Sequence, residues 1–339
     1  MTKTLSALLV SLCLASQSVK ADDQARFDSY VEVLKAEARE RGYEQALIDQ
    51  AFSTVKFKKK VIKQDKNQPE IVETLETYLP KRVPDWKVQR ARKLYKENKE
   101  LLDKISKDFG VQGRFIVALW GLESSFGRVQ GGYPVISSLV TLAFDGRREA
   151  LYKRQLWAAL DILKDGHVDI DNFKGSWAGA MGQSQFMPTS FNSYAVDYNN
   201  DGKKDIWTSK EDALASIANY LKSVGWNDNL TWGRQVKLPE DFPSQYVLKR
   251  GSKNHKQWLE FWRDSERTLE EWQNLGVRRT DGTDLPKVNI SAALVMPDDM
   301  NGRMYLAYNN YKALMNWNRS YYFATSVGYL SDRIGYPKI

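Results

Sequence analysis

The sequence predicts a mainly α protein carrying a small α+β insertion. Three observations lead to that class. From Asp22 to about Phe109 the apolar residues recur at helical spacing, punctuated at Gly42, Pro69 and Pro80–Pro84. From about 111 to 234, helical stretches are separated by glycine-rich loops, "RVQGGYP" and "FKGSWAGAMGQSQFMP". After Trp232 the pattern changes to short β-like runs, "QYVLKR" and "NISAALVM", with helix between them around Trp258–Leu275. A 3.6-residue period reads as helix, and short β-branched or apolar runs between turn signals read as strands.

Taken in order, residues 1–21 read as a secretory signal peptide. Lys3 precedes a mostly apolar run from Leu5 to Ala15, and Val19-Lys20-Ala21 places small residues three and one before Asp22. The run is too short to cross a bilayer. Cys13, the sole cysteine, lies inside it behind Leu12, whereas a lipid-modified cysteine follows a small residue. The mature chain is therefore expected to be periplasmic, with no stable membrane anchor, no disulfide and no cysteine metal site. An N-terminal helical region is expected over 22–109, a central block over 110–234, the small α/β insertion over 235–300 and a closing segment over 301–339. In the central block, Ser209–Val224 reads as a helix with Leu214, Ile217, Leu221 and Val224 inward, capped by Ser209 and ended by Gly225. A last helix, roughly Tyr308–Arg333, is expected to pack back on that block.

Without Lys3 and Lys20, 48 basic residues stand against 42 acidic ones, a net charge of +6. Much of the excess sits in "KFKKKVIK" (56–63) and along Arg82–Lys99. A polyanionic surface and a plain solvated face both account for it. Nucleic acid is not expected as a partner of an exported chain.

The chemistry centres on "ALWGLESSFG" (118–127). Ile116, Leu119 and Trp120 share a helical stripe with Glu123, which places a carboxylate on a buried face. As structure, such a group needs a cationic partner or a ring of donors. As chemistry, burial beside Trp120 and Phe126 near the negative end of a helix raises its pKa toward ~6 and makes a general acid. The second stretch, "GSWAGAMGQSQFMP" (175–188), sets Ser176, Gln183 and Gln185 among glycines. Hydroxyl and amide groups of this kind suit sugar hydroxyls, and a tight structural turn also explains them.

A third stretch, "DYNNDGKKDIW" (197–207), fits a calcium loop. Asp197, Asn199, Asp201, Gly202 and Asp205 occupy positions 1, 3, 5, 6 and 9 of an EF-hand-type pattern, with Lys203 offering its carbonyl. Position 12 is Thr208, so Glu211 or Asp212 must close the shell. An Asx-rich turn without metal is the competing reading. His167 and His255, the only histidines, have no zinc-ligand spacing around them.

"ALWGLESSFG", followed by "GSWAGAMGQSQFMPTSF", resembles the B-type lytic murein transglycosylases, glycoside hydrolase family 103. "LETYLPKRV" (75–83) and "YNNYKALMNWNRSYYFATSVGYLSDRI" (308–334) are similar to that family's upstream and closing segments. The resemblance runs from roughly Phe27 to Ile334. It implies a lysozyme-like helical core, with 110–234 as the catalytic part, and peptidoglycan glycan strands as substrate. It also implies cleavage of the MurNAc–GlcNAc β-1,4 bond without water, leaving 1,6-anhydromuramic acid, and no cofactor for catalysis. Glu123 falls on the single catalytic glutamate, acid first and base second. Ser176 and Gln185 match residues lining the cleavage site, Asn318 a residue bonded near the glutamate, and Tyr78 and Tyr220 aromatic walls. Trp317 joins them where some relatives carry tyrosine. Arg147 and Arg148 match a basic pair near the muramyl side. Calcium would be structural, held by Asp197, Asn199, Asp201, Lys203 and Asp212. A monomer is expected, with other cell-wall enzymes as further partners.

Overall fold

The computed structural model describes residues 4–66, 73–243, 246 and 255–335, with side chains of the first helix described from Asp22. The first elements are α1 (Thr4–Glu40), α2 (Gln45–Phe52), α3 (Lys59–Lys66), α4 (Leu75–Arg82), α5 (Asp85–Glu97), α6 (Lys99–Phe109) and α7 (Gly113–Ser124). Then come β1 (Tyr133–Pro134), α8 (Val135–Phe144), α9 (Glu149–Lys164), β2 (Lys174–Gly175), α10 (Pro188–Tyr194) and α11 (Lys210–Ser223). The remainder is β3 (Gly233–Lys237), α12 (His255–Ser265), β4 (Arg267–Thr268), α13 (Leu269–Asn274), β5 (Arg278–Arg279), β6 (Ser291–Val295), β7 (Met304–Ala307), α14 (Asn309–Trp317) and α15 (Tyr321–Gly335). The described residues are thus mainly α, with a two-stranded β1-β2 ladder and one five-stranded sheet. Among the described residues, no helix is long and apolar enough to cross a membrane.

Two compact units are built from interleaved stretches. One takes Met1–Pro69, Gln130–Ser193 and Asn200–Thr208; the other takes Glu70–Val129, Tyr194–Asn199 and Ser209–Ile339. The segments expected over 22–109 and 110–234 are therefore each divided between units. The reason is the apolar faces: α1, α2 and α3 pack on α8 and α9, whereas α5 and α6 pack on α7 and α11.

In the first unit, α8 is buried from Val135 to Ala143 and pairs with α9. Phe27 of α1 stacks on Phe57 at 4.9 Å and meets Phe144 edge-on at 5.3 Å. Rings in these geometries gain beyond their buried area.

In the second unit, α7 is the core. The sequence marks one apolar stripe, but Phe115, Ile116, Val117, Ala118 and Leu119 are all fully buried, so the middle of the helix is enclosed on every side. Helix α15, α5 and α11 pack around it. Helix α11 matches its expectation: the Ser209 hydroxyl accepts the Asp212 N–H, and Leu214, Ile217 and Leu221 are buried, with Val224 half-buried.

The sheet is antiparallel, in the order β4-β6-β7-β3-β5. The expected strand "NISAALVM" is β6, while "QYVLKR" falls almost wholly outside the described residues. The single helix expected over Trp258–Leu275 is two, α12 and α13. Thr268 forms a capping box with Glu271 that starts the second. The closing helix is likewise two. Asn318 is extended, and the Ser320 hydroxyl accepts the Phe323 N–H at 3.2 Å, restarting the chain as α15.

The closing helix docks through Trp232, whose indole donates to Asp332 at 3.0 Å, while Arg114 of α7 pairs with Asp332 at 3.1 Å. Gly328 lies beneath that ring: a Cβ there would stand 2.2 Å from Trp232. Overpacking of this kind costs about 1–3 kcal/mol. Gly328→Ala should therefore lower the melting temperature by several degrees in calorimetry; an unchanged melt would show that the Trp232 contact is loose.

Candidate active site

Glu123 lies in the last turn of α7, where the backbone reverses sharply. Ser125 and Phe126 have φ values of 49° and 63°, a left-handed region that non-glycine residues rarely enter. The Phe126 N–H donates back to the Trp120 carbonyl at 3.1 Å, and the Ser124 hydroxyl accepts the Gly127 N–H at 2.9 Å. The turn folds Phe126 onto Gly121, where a Cβ would stand 2.6 Å from the ring. Only glycine lets the ring close this end of the helix.

The Glu123 side chain is half-buried, and protein crowds its carboxyl. Loss of hydration raises its pKa from 4.5 to about 7. Two groups act in the opposite direction: a hydrogen bond from Trp317 and the positive field of Arg82. The Trp317 indole N–H donates to Oε1 at 2.7 Å. Its ring meets Tyr220 at 4.7 Å, and Tyr220 meets Tyr194 at 4.6 Å. The Tyr220 hydroxyl donates to the Asn316 carbonyl at 2.8 Å, fixing the residue before Trp317. Tyr220, expected as an aromatic wall, is thus a half-buried residue that braces Trp317.

Tyr78 of α4 packs on Tyr322 at 5.2 Å and lies under the Arg82 guanidinium at 5.8 Å. The Tyr322 hydroxyl donates to Asp298, whose other oxygen accepts the Leu75 N–H at 2.7 Å. Asn318, expected beside the glutamate, is exposed; the donor to Glu123 is its neighbour Trp317. Helix α14 ends at Trp317 and leaves Asn318 in extended backbone. Arg82 is a residue the sequence reading missed. Its signal was present in "LETYLPKRV", four positions after Tyr78 and so on the same helical face.

The remaining candidates belong to the first unit. The Ser176 hydroxyl accepts the Ala180 N–H at 3.0 Å, and its own N–H donates to the Ala180 carbonyl at 2.7 Å. Gln185 has φ 51°, and its amide donates to the carbonyls of Gly182 at 2.8 Å and Gln130 at 3.1 Å. Both side chains shape their own loop, and both residues stay half-buried. Arg147 and Arg148 both bond the buried carboxylate of Asp65, and Arg147 also takes Asp145 at 2.8 Å. The pair is an ion cluster with half-exposed guanidiniums rather than a free cationic face.

The calcium candidates fall in both units. In the second, Asp212 is fully buried, and its carboxylate accepts N–H groups from Tyr198 at 2.8 Å and Asn199 at 3.3 Å. Asp197 brings a carboxylate oxygen within 4.8 Å of it. In the first, Asp201 accepts the Lys203 N–H at 2.9 Å, and Asp205 accepts the N–H groups of Trp207 and Thr208.

Residues 26–332 match the family model for the transglycosylase SLT domain. Membrane-bound lytic murein transglycosylase B of Escherichia coli K12 is 35% identical over 169 residues, covering 48% of this chain and 46% of that protein. The match thus spans less than half of that relative. SltB3 from Pseudomonas aeruginosa, solved with NAG-anhNAM-pentapeptide, is 35% identical with a TM-score of 0.83, covering 91% of this chain and 79% of that one. Its complex with NAG-NAM-pentapeptide gives 0.84 over the same coverage. Soluble lytic transglycosylase SltB1 of the same organism is 27% identical, TM-score 0.76, over 90% of this chain and 98% of that one.

Because the folded pKa of Glu123 lies above its unfolded value, the native state holds this proton more tightly. Stability from the group is therefore present in acid and lost as pH rises from 4.5 through about 7. Discounted for residual solvent, the loss is about 1–3 kcal/mol. Glu123→Gln should melt higher than wild type at pH 8, with the gap shrinking toward zero at pH 4. Equal gaps at both pH values would contradict a raised pKa.

Proposed function

We propose a function from one premise, that the chain belongs to the transglycosylase SLT domain family. The protein cleaves the MurNAc–GlcNAc β-1,4 bond of peptidoglycan strands without water. The observation that carries this reading is Glu123 itself, a carboxyl in the last turn of α7 that accepts the Trp317 indole N–H at 2.7 Å and whose pKa is raised to about 7. A group so placed is protonated often enough to act as an acid and ionised readily enough to act as a base. In the first step the Glu123 proton passes to the leaving glycosidic oxygen as its bond to C1 breaks. In the second, the C6 hydroxyl gives its proton to the Glu123 carboxylate as O6 bonds to C1. The 1,6-anhydro ring closes, the glutamate is restored and no water is consumed. That the SltB3 complexes hold fragments with and without an anhydro ring agrees with this substrate and product.

Ser176, Gln185, Tyr78 and Tyr220 are assigned to the substrate, with Arg147 and Arg148 on the side of its carboxylates. The protein acts in the periplasm as a monomer after removal of residues 1–21. Calcium is assigned a structural role near Asp197, Asn199 and Asp212. The donor set fits a hard cation, since two carboxylates approach within 4.8 Å and one of them is fully buried.

Two outcomes test the chemistry. Digests of purified sacculi should release chains ending in 1,6-anhydromuramic acid, with no label entering from ¹⁸O-water. Labelled reducing ends would instead make the enzyme a lysozyme-type hydrolase. Glu123→Gln should lose at least ~10²-fold in turnover, the usual worth of general acid help; clearing within threefold of wild type would remove Glu123 from the mechanism.

Calcium binding to the native state raises stability by mass action. The melting temperature should be higher in calcium than in chelator, and Asp197→Ala should abolish the difference. Identical wild-type melts in both buffers would count against the metal.

A further inference from the structure

We propose that Trp317 is a positioning residue: by bonding Oε1 of Glu123 it reserves Oε2 as the one oxygen that delivers and recovers the proton. The inference rests on the proposed reaction and adds how this chain orders it. An indole N–H can donate but never accept. With the N–H 2.7 Å from Oε1, a proton on that oxygen would face another hydrogen. The acid form therefore carries its proton on Oε2, which accepts no hydrogen bond among the described residues. When Glu123 ionises, the same contact becomes charge-assisted and stabilises the carboxylate. A hydroxyl in this place would accept as readily as donate, and both oxygens would compete.

The indole is held by Tyr220 in two ways. Tyr220 packs on it at 4.7 Å, itself backed by Tyr194, and the Tyr220 hydroxyl fixes the Asn316 carbonyl. Glu123 and its donor thus come from helices far apart in sequence, locked at one contact. The charged group whose field reaches Glu123 is Arg82 of α4. On α15, Asp332 is taken by Arg114 and Tyr322 by Asp298; on α11 the titratable neighbour is Tyr220. On α5, Lys87 is buried, its pKa pushed down by burial and by Arg82.

The test removes the N–H and reads the proton directly. In full-length Trp317→Phe, a ¹³C-NMR titration of the Glu123 carboxyl should show its pKa rising by about one unit, because a donor to the charged form is lost. On sacculi, kcat should fall at least tenfold, KM should stay within twofold, and the alkaline limb of the pH profile should move up with the NMR value. Replacing Trp317 by benzothienylalanine, which keeps the shape and lacks the N–H, should reproduce both effects and covers the case in which the phenylalanine variant unfolds. An unmoved Glu123 pKa in a folded variant overturns the proposal, as does a raised KM with unchanged kcat, which would make Trp317 a substrate wall. The titration reads the carboxyl whatever the product, so its outcome is separate from that of the anhydro-end experiment.

Discussion

A half-buried carboxyl group, crowded by protein at the end of a buried helix, is the constraint on which the second unit depends. A pKa raised from 4.5 to about 7 means the ionised form opposes folding at neutral pH, by up to roughly 3 kcal/mol before residual solvent is counted. That strain on the fold is tolerable because the middle of α7 is buried around its whole circumference. Its Phe115, Ile116, Val117 and Leu119 are fully buried, and each such side chain contributes about 1.5–3 kcal/mol. A helix with one wet face would let solvent reach the carboxyl and return it to an ordinary acid.

The local backbone serves the same end. Left-handed Ser125 and Phe126 each carry a cost of roughly 1–3 kcal/mol, and the turn persists because Phe126 closes over Gly121 while Ser124 ties down Gly127. The ring covers the helix end from one direction. Trp317, braced by Tyr220, meets the carboxyl through the break between α14 and α15. A continuous closing helix has no such end from which to present that indole.

Much of this was legible in the sequence, and the exceptions share a cause. Glu123, the cap of α11 and the strand at Ser291–Val295 all follow from local periodicity or capping chemistry. Two expected helices are each divided. Thr268 with Glu271, and Ser320 with Phe323, carry capping signals that the longer apolar period obscured. The interleaving of the units was out of reach, because it depends on which apolar faces match across long sequence separations. Partners at the site were hidden for the same reason. Trp317 was legible as a cleft residue, but its bond to Glu123 spans 194 positions. Arg147 and Arg148 read as a cationic pair, while their acid, Asp65, lies over 80 positions earlier.

The electrostatic surroundings of Glu123 also bear on how one acid can serve two steps. Among the described groups acting on it, the tryptophan donor and the Arg82 charge both favour the ionised form, while desolvation favours the neutral one. No carboxylate is among the groups acting on Glu123 in the described residues. A second carboxylate beside Glu123 would push its pKa higher still and leave it a good acid but a reluctant proton acceptor. Desolvation opposed by one neutral donor and one cation instead holds the group close to balance. That balance lets the same oxygen give up a proton and then take one back within a single turnover.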